Sequence, residues 1–346
     1  MLGALFFGES GSMGVKLKRI EDQVVVITGA SSGIGLATAK MAAERGARVV
    51  LVARDPEGLA SARVEIEGAG GRAVTVQADV ANFEEVAGIA RKAVEAFRGF
   101  DTWINNAGLS IYGPIEEVPV EDARRLFDVN YWGVVHGTLT ALTHLKERGG
   151  AVINLGSVLS DRAIPLQGHY SASKHAVKAF TDALRMEIEK EQAPVSLTLI
   201  KPGAIDTPFP EHARNYMEAE PKHPAPVYDP SVVAEAILFC AEHARRDLIV
   251  GGGGKMTASM HNVPRVADRY MRATMFKGQK MKKPSRRQRE DSLYEPQGGG
   301  RERGNYPGTV RQRSLYTMGA MHRVATVLSA AAVGAGVVIA SRRSWR

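Results

Sequence analysis

Between Gln23 and Lys255, short apolar and β-branched runs alternate with helix-length stretches. The runs are 24–28 (VVVIT), 48–52 (RVVLV), 73–77 (AVTVQ), 102–105 (TWIN), 151–157 (AVINLGS), 195–200 (VSLTLI) and 248–250 (LIV). They predict seven strands. Most are apolar at successive positions, so both faces of the sheet need covering, and strands separated by helices imply parallel pairing. The expected fold class is α/β, a Rossmann-type doubly wound parallel sheet of about seven strands with its ligand at their carboxyl ends. A stretch rich in Pro (208, 210, 221, 224, 226) interrupts the rhythm between 206 and 229. It is too long for a plain connection and predicts a pocket wall or lid.

The alternation stops near Lys255. Beyond it, MFKGQKMKKPSRRQRE and EPQGGGRERGNYPG carry Lys, Arg, Gly and Pro without periodicity, predicting a basic, low-complexity, partly disordered extension over 256–323. Val324 to Ala340 is an uncharged run between basic flanks. As a helix it spans about 26 Å, the short limit for a bilayer core, so it reads as a membrane-anchoring helix or a helix packed on protein, followed by a basic tail, 341–346. The start, MLGALFF, is too short for a signal peptide or span; 1–19 reads as an extension, with Met1 or Met13 as initiator. Residues 20–255 are the expected catalytic domain.

Charge divides along the same line. Residues 1–256 hold 27 Lys+Arg against 32 Asp+Glu, a net of −5; residues 257–346 hold 18 against 5, a net of +13. The overall +8 therefore belongs to the tail. Without interleaved aromatics the tail is a poor nucleic-acid binder, whereas an anionic membrane surface suits it. The single cysteine, Cys240, forms no internal disulfide and fits a reducing compartment. The expectation is a cytoplasmic protein, associated with membrane through its C-terminal segment. His136, His144, His169 and His175 lack a spaced carboxylate or cysteine cluster, so no metal site is expected.

TGASSGIG (28–35) follows the first strand and opens a helix. Gly29, Gly33 and Gly35 allow a tight turn, backbone approach to a pyrophosphate and close helix packing at a helix N-terminus. The second strand ends in Ala53–Arg54, where an acidic residue would take the ribose hydroxyls of NAD; an arginine favours the 2′-phosphate of NADP. Arg54 could equally begin a solvated loop, with Asp55 capping the next helix. Tyr170 and Lys174 lie one helical turn apart in GHYSASKHAV. Either the pair packs on the helix surface, or the ammonium draws the phenol's pKa down and makes a general acid/base.

The glycine turn, ADV with Asp79, NNAG (105–108), Asn130 in FDVNYWG, Ser157, YSASK and KPGAIDT (201–207) occur in this order. Over about 20–255 the chain resembles the short-chain dehydrogenase/reductase family of the Tyr-x-x-x-Lys type. The resemblance implies that Ser157 and Tyr170 bind the substrate oxygen, that Tyr170 passes the proton, that Lys174 holds the nicotinamide ribose, and that Asn130 positions a water. It implies cofactor contacts from Ser31, Ser32 and Ile34 at the phosphates, Asp79 and Val80 at the adenine, Asn105 and Gly108 along the ribose, Thr207 at the carboxamide, and Pro202 and Gly203 elsewhere on the cofactor. Asp79 could instead cap a helix, and the Asn105–Asn106 pair could close a turn. A homo-oligomer is also implied.

Around the expected pocket, Ser110, Ile111, Tyr112, Leu159, Ile164, Pro165, Leu166, His169 and 208–216 are mainly apolar. They point to a hydrophobic alcohol, ketone or aldehyde, with Ser157, Leu159 and Tyr170 against it. The expected activity is NADP(H)-dependent hydride transfer, with NADP(H) favoured over NAD(H). A non-catalytic NADP(H) sensor or scaffold on the same fold is the alternative.

Overall fold

The computed structural model describes residues 15–285, 290–298 and 300–322. All seven strands form one parallel sheet: β1 Val24–Thr28, β2 Arg48–Ala53, β3 Arg72–Gln77, β4 Thr102–Asn105, β5 Gly150–Leu155, β6 Val195–Pro202 and β7 Asp247–Val250. Their order is β3-β2-β1-β4-β5-β6-β7, so Val26 of β1 lies between Val50 and Trp103. The chain reverses its direction of travel across the sheet beside β1. Such a switch point opens a crevice at the carboxyl ends of β1 and β4.

Successive β1 residues feed opposite cores, as a strand's two-residue period demands. Val25 and Ile27 pack beneath α1 Gly33–Glu44, α2 Pro56–Gly68 and α8 Pro230–Glu242; Val24 and Val26 pack beneath α3 Phe83–Phe97, α5 Gly133–Arg148 and α6 Gly168–Glu191. Short polar side chains set where several helices begin. Asp55 accepts from the Glu57 amide ahead of Pro56, Asp229 from the Ser231 amide ahead of Pro230, and Asn82 from the Glu84 amide. These satisfy donors that a helix start leaves open. Asp79 is therefore no helix cap. α4 Val120–Phe127 and the single turn α7 Phe209–His212 complete this part.

The extension departs from the low-complexity reading. It folds as α9 Gly252–Ser259, α10 Pro264–Gly278, a strand Lys280–Pro284 and α11 Leu315–Met321. Its strand pairs antiparallel with Ala219–Pro221 of the Pro-rich insertion, and Val310–Arg311 pairs with Val227–Tyr228. Long-range contacts hold it. Met271 joins the buried cluster around Tyr170, Gln279 Nε2 donates to Pro165 O (2.9 Å), and Met321 enters the core beneath α8. In α10 only Ala267 and Met271 are buried, which explains the weak periodicity. The apolar run 324–340, the tail 341–346 and the two candidate initiators lie outside the described residues. Among the described ones, no helix is long and apolar enough to cross a membrane.

Candidate active site

A cavity of ≈ 250 Å³ lies at the carboxyl ends of the strands, reaching from Arg54 and Asp79 past the glycine turn to Tyr170 and Lys174. Gly29, Ser31, Ser32, Gly33 and Ile34 form its floor. Gly29 and Gly33 take left-handed φ of +68° and +57°, a conformation that costs an L side chain strain. Gly35 serves packing. A Cβ there would sit 2.1 Å from Gly29 O, so α1 could not approach the turn that it opens from.

The turn is also held from β4. Thr28 Oγ1 accepts from the amides of Asn106 (3.0 Å) and Ala107 (3.1 Å), while Asn106 Nδ2 donates to Thr28 O (2.8 Å). Asn106, Ala107 and Gly108 then line the cavity. Asn105 does not. Its side chain is buried under the sheet, accepting from Trp103 Nε1 (2.8 Å) and donating to Thr138 (3.0 Å) and Asn154 (2.8 Å). Of the NNAG pair, the second asparagine ties the turn and the first fills the core.

At the other end Ser157, Tyr170 and Lys174 meet on the cavity wall. Ser157 caps a short 3-10 turn after β5, accepting from the Leu159 amide (3.1 Å), while Ser160 Oγ accepts from the Ser157 amide (3.1 Å). This reciprocal box fixes the hydroxyl. Tyr170 lies in the first turn of α6 and Lys174 in the second, and Lys174 Nζ sits 5.8 Å from the Tyr170 ring centre. Lys174 Nζ donates to Leu155 O (2.8 Å). Burial pushes Tyr170 up to about 12, with the hydrogen bond to Ser157 working the other way; burial pushes Lys174 down to about 8. In this cavity desolvation outweighs the downward pull on the phenol expected from Lys174.

Asn130 stands behind the wall in a π-helical turn, Asp128–Trp132, of the kind that recurs at functional sites. Its Oδ1 accepts from the Leu109 amide (2.7 Å) and its Nδ2 donates to Leu109 O (3.0 Å) and Ser173 Oγ (3.1 Å). It braces the strip 107–109 against α6. Pro202 at the end of β6, Gly203 and Thr207 after it, and Val80 after β3 line the cavity.

At the Arg54 end the side chain is half-buried, donating to Tyr294 O (2.7 Å) and, by a short bond, to Ser292 O. Burial lowers the Arg54 pKa while Asp79 pulls it back. Asp79 pairs closely with Arg125, whose Nε donates to Leu293 O (3.1 Å). Ser292, Pro296 and Gln297 line the cavity here. These extension residues had no signal in the sequence.

Of the expected substrate contacts, Ser110 lines the cavity, and Ile111, Leu159 and Ile164 pack behind it in Tyr170's cluster. Tyr112 and Leu166 belong to a separate small cluster. The insertion is a wall, contributing Pro208, Phe209, His212, Ala213 and His223. Phe209 meets the Tyr170 ring edge to face at 5.9 Å. His223 is new to the site. Its Nε2 is buried without a hydrogen-bond partner, and burial pushes its pKa down to about 4. His136, His144 and His175 make backbone contacts. Cys240 is buried, its thiol pushed up to about 12 by burial.

The solved alcohol dehydrogenase of Thermococcus sibiricus, complexed with 5-hydroxy-NADP, is similar with a TM-score of 0.58 and 29% identity, over 66% of this chain and 95% of that one. A Burkholderia phymatum short-chain dehydrogenase/reductase in complex with NAD gives 0.64 and 27%, over 70% and 94%. About a third of this chain has no counterpart in either. In sequence, an uncharacterized oxidoreductase of Bacillus subtilis, YxnA, is 47% identical over 328 residues, 94% of this chain and 91% of its own. The 3beta-hydroxysteroid dehydrogenase 1 of Eggerthella lenta is 37% identical over 55% of this chain and 73% of its own. The family model for short chain dehydrogenases matches residues 23–218, and with the seven-stranded parallel sheet this makes the chain a member of that family of NAD(P)-dependent oxidoreductases.

Proposed function

We propose that the chain is an NADP(H)-dependent carbonyl reductase or alcohol dehydrogenase for a mainly hydrophobic substrate, with Tyr170 as general acid/base. The observation that carries this reading is the buried Ser157–Tyr170–Lys174 group facing the cavity that the glycine turn floors. A bound nicotinamide would supply or accept the hydride. In the reducing direction Ser157 and Tyr170 hydrogen-bond the carbonyl oxygen, and the Tyr170 hydroxyl gives its proton to that oxygen as negative charge develops there. Lys174, while charged, favours the phenolate left behind. Oxidation reverses each step.

Arg54 at the end of β2 supports NADP(H), since a guanidinium complements a phosphate and repels nothing on it. The cofactor would lie along Gly29–Ile34, with Asp79 and Val80 at the adenine and Thr207 near the carboxamide. Leu109, Phe209 and Ala213 on the wall support an apolar substrate. His223, uncharged, offers one hydrogen bond to a second polar group on it. Exposed Trp132 just before α5, Leu139 on α5 and Met186 on α6 support self-association through those helices.

NADPH oxidation by the purified chain against a panel of apolar ketones and aldehydes tests the reading, with Tyr170→Phe as control. Turnover that depends on Tyr170 is expected; NADPH binding without turnover would favour a sensor. His223→Leu should raise KM for a hydroxyl-bearing ketone several-fold, roughly what one buried hydrogen bond contributes, and leave kcat alone. An unchanged KM would remove His223 from the substrate site.

A further inference from the structure

The extension lines the cavity through Ser292, Pro296 and Gln297 and is tied down on either side of Pro296–Gln297 in sequence. On one side Asp291 accepts from Arg214 Nε (2.5 Å), the Ser292 amide donates to His212 O (2.8 Å), Leu293 is buried in the Tyr170 cluster, and Tyr294 Oη donates to Asp122 Oδ1 (2.8 Å). On the other, Arg301 pairs with Glu211 (3.0 Å), Glu302 with Lys40 (2.7 Å), and Arg303 with the fully buried carboxylate of Asp229 (2.6 Å). Between the anchors Pro296 and Gln297 face the cavity.

The same segments grip the cavity's own donors with main-chain carbonyls. Ser292 O and Tyr294 O hold the Arg54 guanidinium, and Arg301 O accepts from the Gly33 amide (2.9 Å) at the start of α1. Arginine has five N–H donors, so two bonds to carbonyls leave three and fix the direction in which they point. Farther along, Gly304 passes so close to the strip after β6 that a Cβ there would lie 2.4 Å from Thr207 O. The contacts thus run from the Arg54 end to Thr207, the length of the cavity.

We propose that residues 290–298 and 300–306 form a cofactor clasp, an outer wall of the dinucleotide site that aims Arg54 at the adenosine phosphate and slows departure of the bound nucleotide. This rests on the reading that the cavity takes a nicotinamide dinucleotide. The clasp acts on exchange and leaves the chemical step at Tyr170 alone. Its ligand is the phosphorylated adenosine half of the cofactor, which Ser292 and Gln297 flank from outside.

The experiment is stopped-flow release of NADPH from the full chain, read by nucleotide fluorescence during a chase with excess NADP+. The double variant Tyr294→Phe/Arg303→Ala removes one anchor on each side and no cavity-lining group. Its release rate should rise roughly tenfold or more with association little changed, the pattern expected when only contacts to the bound state are lost. An unchanged release rate overturns the clasp. Tighter NADPH binding also overturns it, because the segment would then compete with the nucleotide for Arg54 and Gly33. Asp229 loses its ion pair in the double variant and keeps only its bonds from Ser231; if that chain fails to fold, Tyr294→Phe alone gives the same reading with a smaller rise. No NADPH binding by the unaltered chain would instead sink the cofactor reading on which the clasp rests.

Discussion

The two ends of the cavity each present a cation, and they are built in opposite ways. Lys174 is buried among main-chain and aromatic neighbours, with no carboxylate paired to it among the described residues, and burial destabilises its charge. Arg54 is half-buried and carried by two carbonyls from 238 and 240 residues away, with Asp79 close by. A lysine pushed down to about 8 can gain or lose a proton near working pH, whereas an arginine stays charged. One end suits proton movement and the other suits holding an anion.

The sharpest way to break this division is Tyr170→Phe, which should lower kcat about 10³-fold while NADPH affinity stays within about twofold. Stopped-flow binding and steady-state rates together check it; a matching loss of affinity would mean that the two ends are one unit. Arg54→Asp should do the reverse. NADPH affinity falls about 10–100-fold relative to NADH, and the ratio between the cofactors cancels any loosening of the clasp common to both. If the ratio stays put, Arg54 serves the clasp alone.

The pH profile sharpens the catalytic end. Lys174 is charged below its folded value of about 8 and neutral above it. Carbonyl reduction, which needs the proton and the charge behind it, should be flat below that pH and fall about tenfold per unit above. A smaller effect appears in stability. The unfolded chain keeps the lysine proton up to its ordinary 10.5 and the folded chain releases it near 8, so within that window the unfolded state binds more protons and stability rises with pH. The whole rise is at most about 3 kcal/mol. Lys174→Met should flatten it in urea titrations at pH 7.5 and pH 10, and a slope that persists would place its origin elsewhere.

The placing of Ser157, Tyr170 and Lys174 together at one end of the cavity was legible in the sequence because its parts are local. Tyr170 and Lys174 lie one helical turn apart, Ser157 follows a strand closely, and the glycines must stand where α1 meets β1. In the NNAG stretch, which asparagine reaches the cavity was not legible, since it depends on Trp103, Thr138 and Asn154, all outside the stretch. The Arg54 end was half legible. Arg54 itself is visible, yet the carbonyls that hold it carry no side-chain signature, so a segment of Gly, Pro and Arg read as featureless. His223 was hidden for a related reason, since a lone histidine in a Pro-rich insertion means nothing until the insertion is seen to fold back as a wall.

The separation between Arg54 and the carbonyls that grip it also orders events during synthesis. A ribosome adding about 5–20 residues per second needs at least about 12 s to travel from one to the other, and the glycine turn and β1 to β5 are out of the tunnel well before that. The nascent chain therefore passes through a stage with a finished floor and an open roof. If the clasp acts as proposed, nucleotide can enter freely then, and the stretch that carries Ser292 and Tyr294 is what shuts it in.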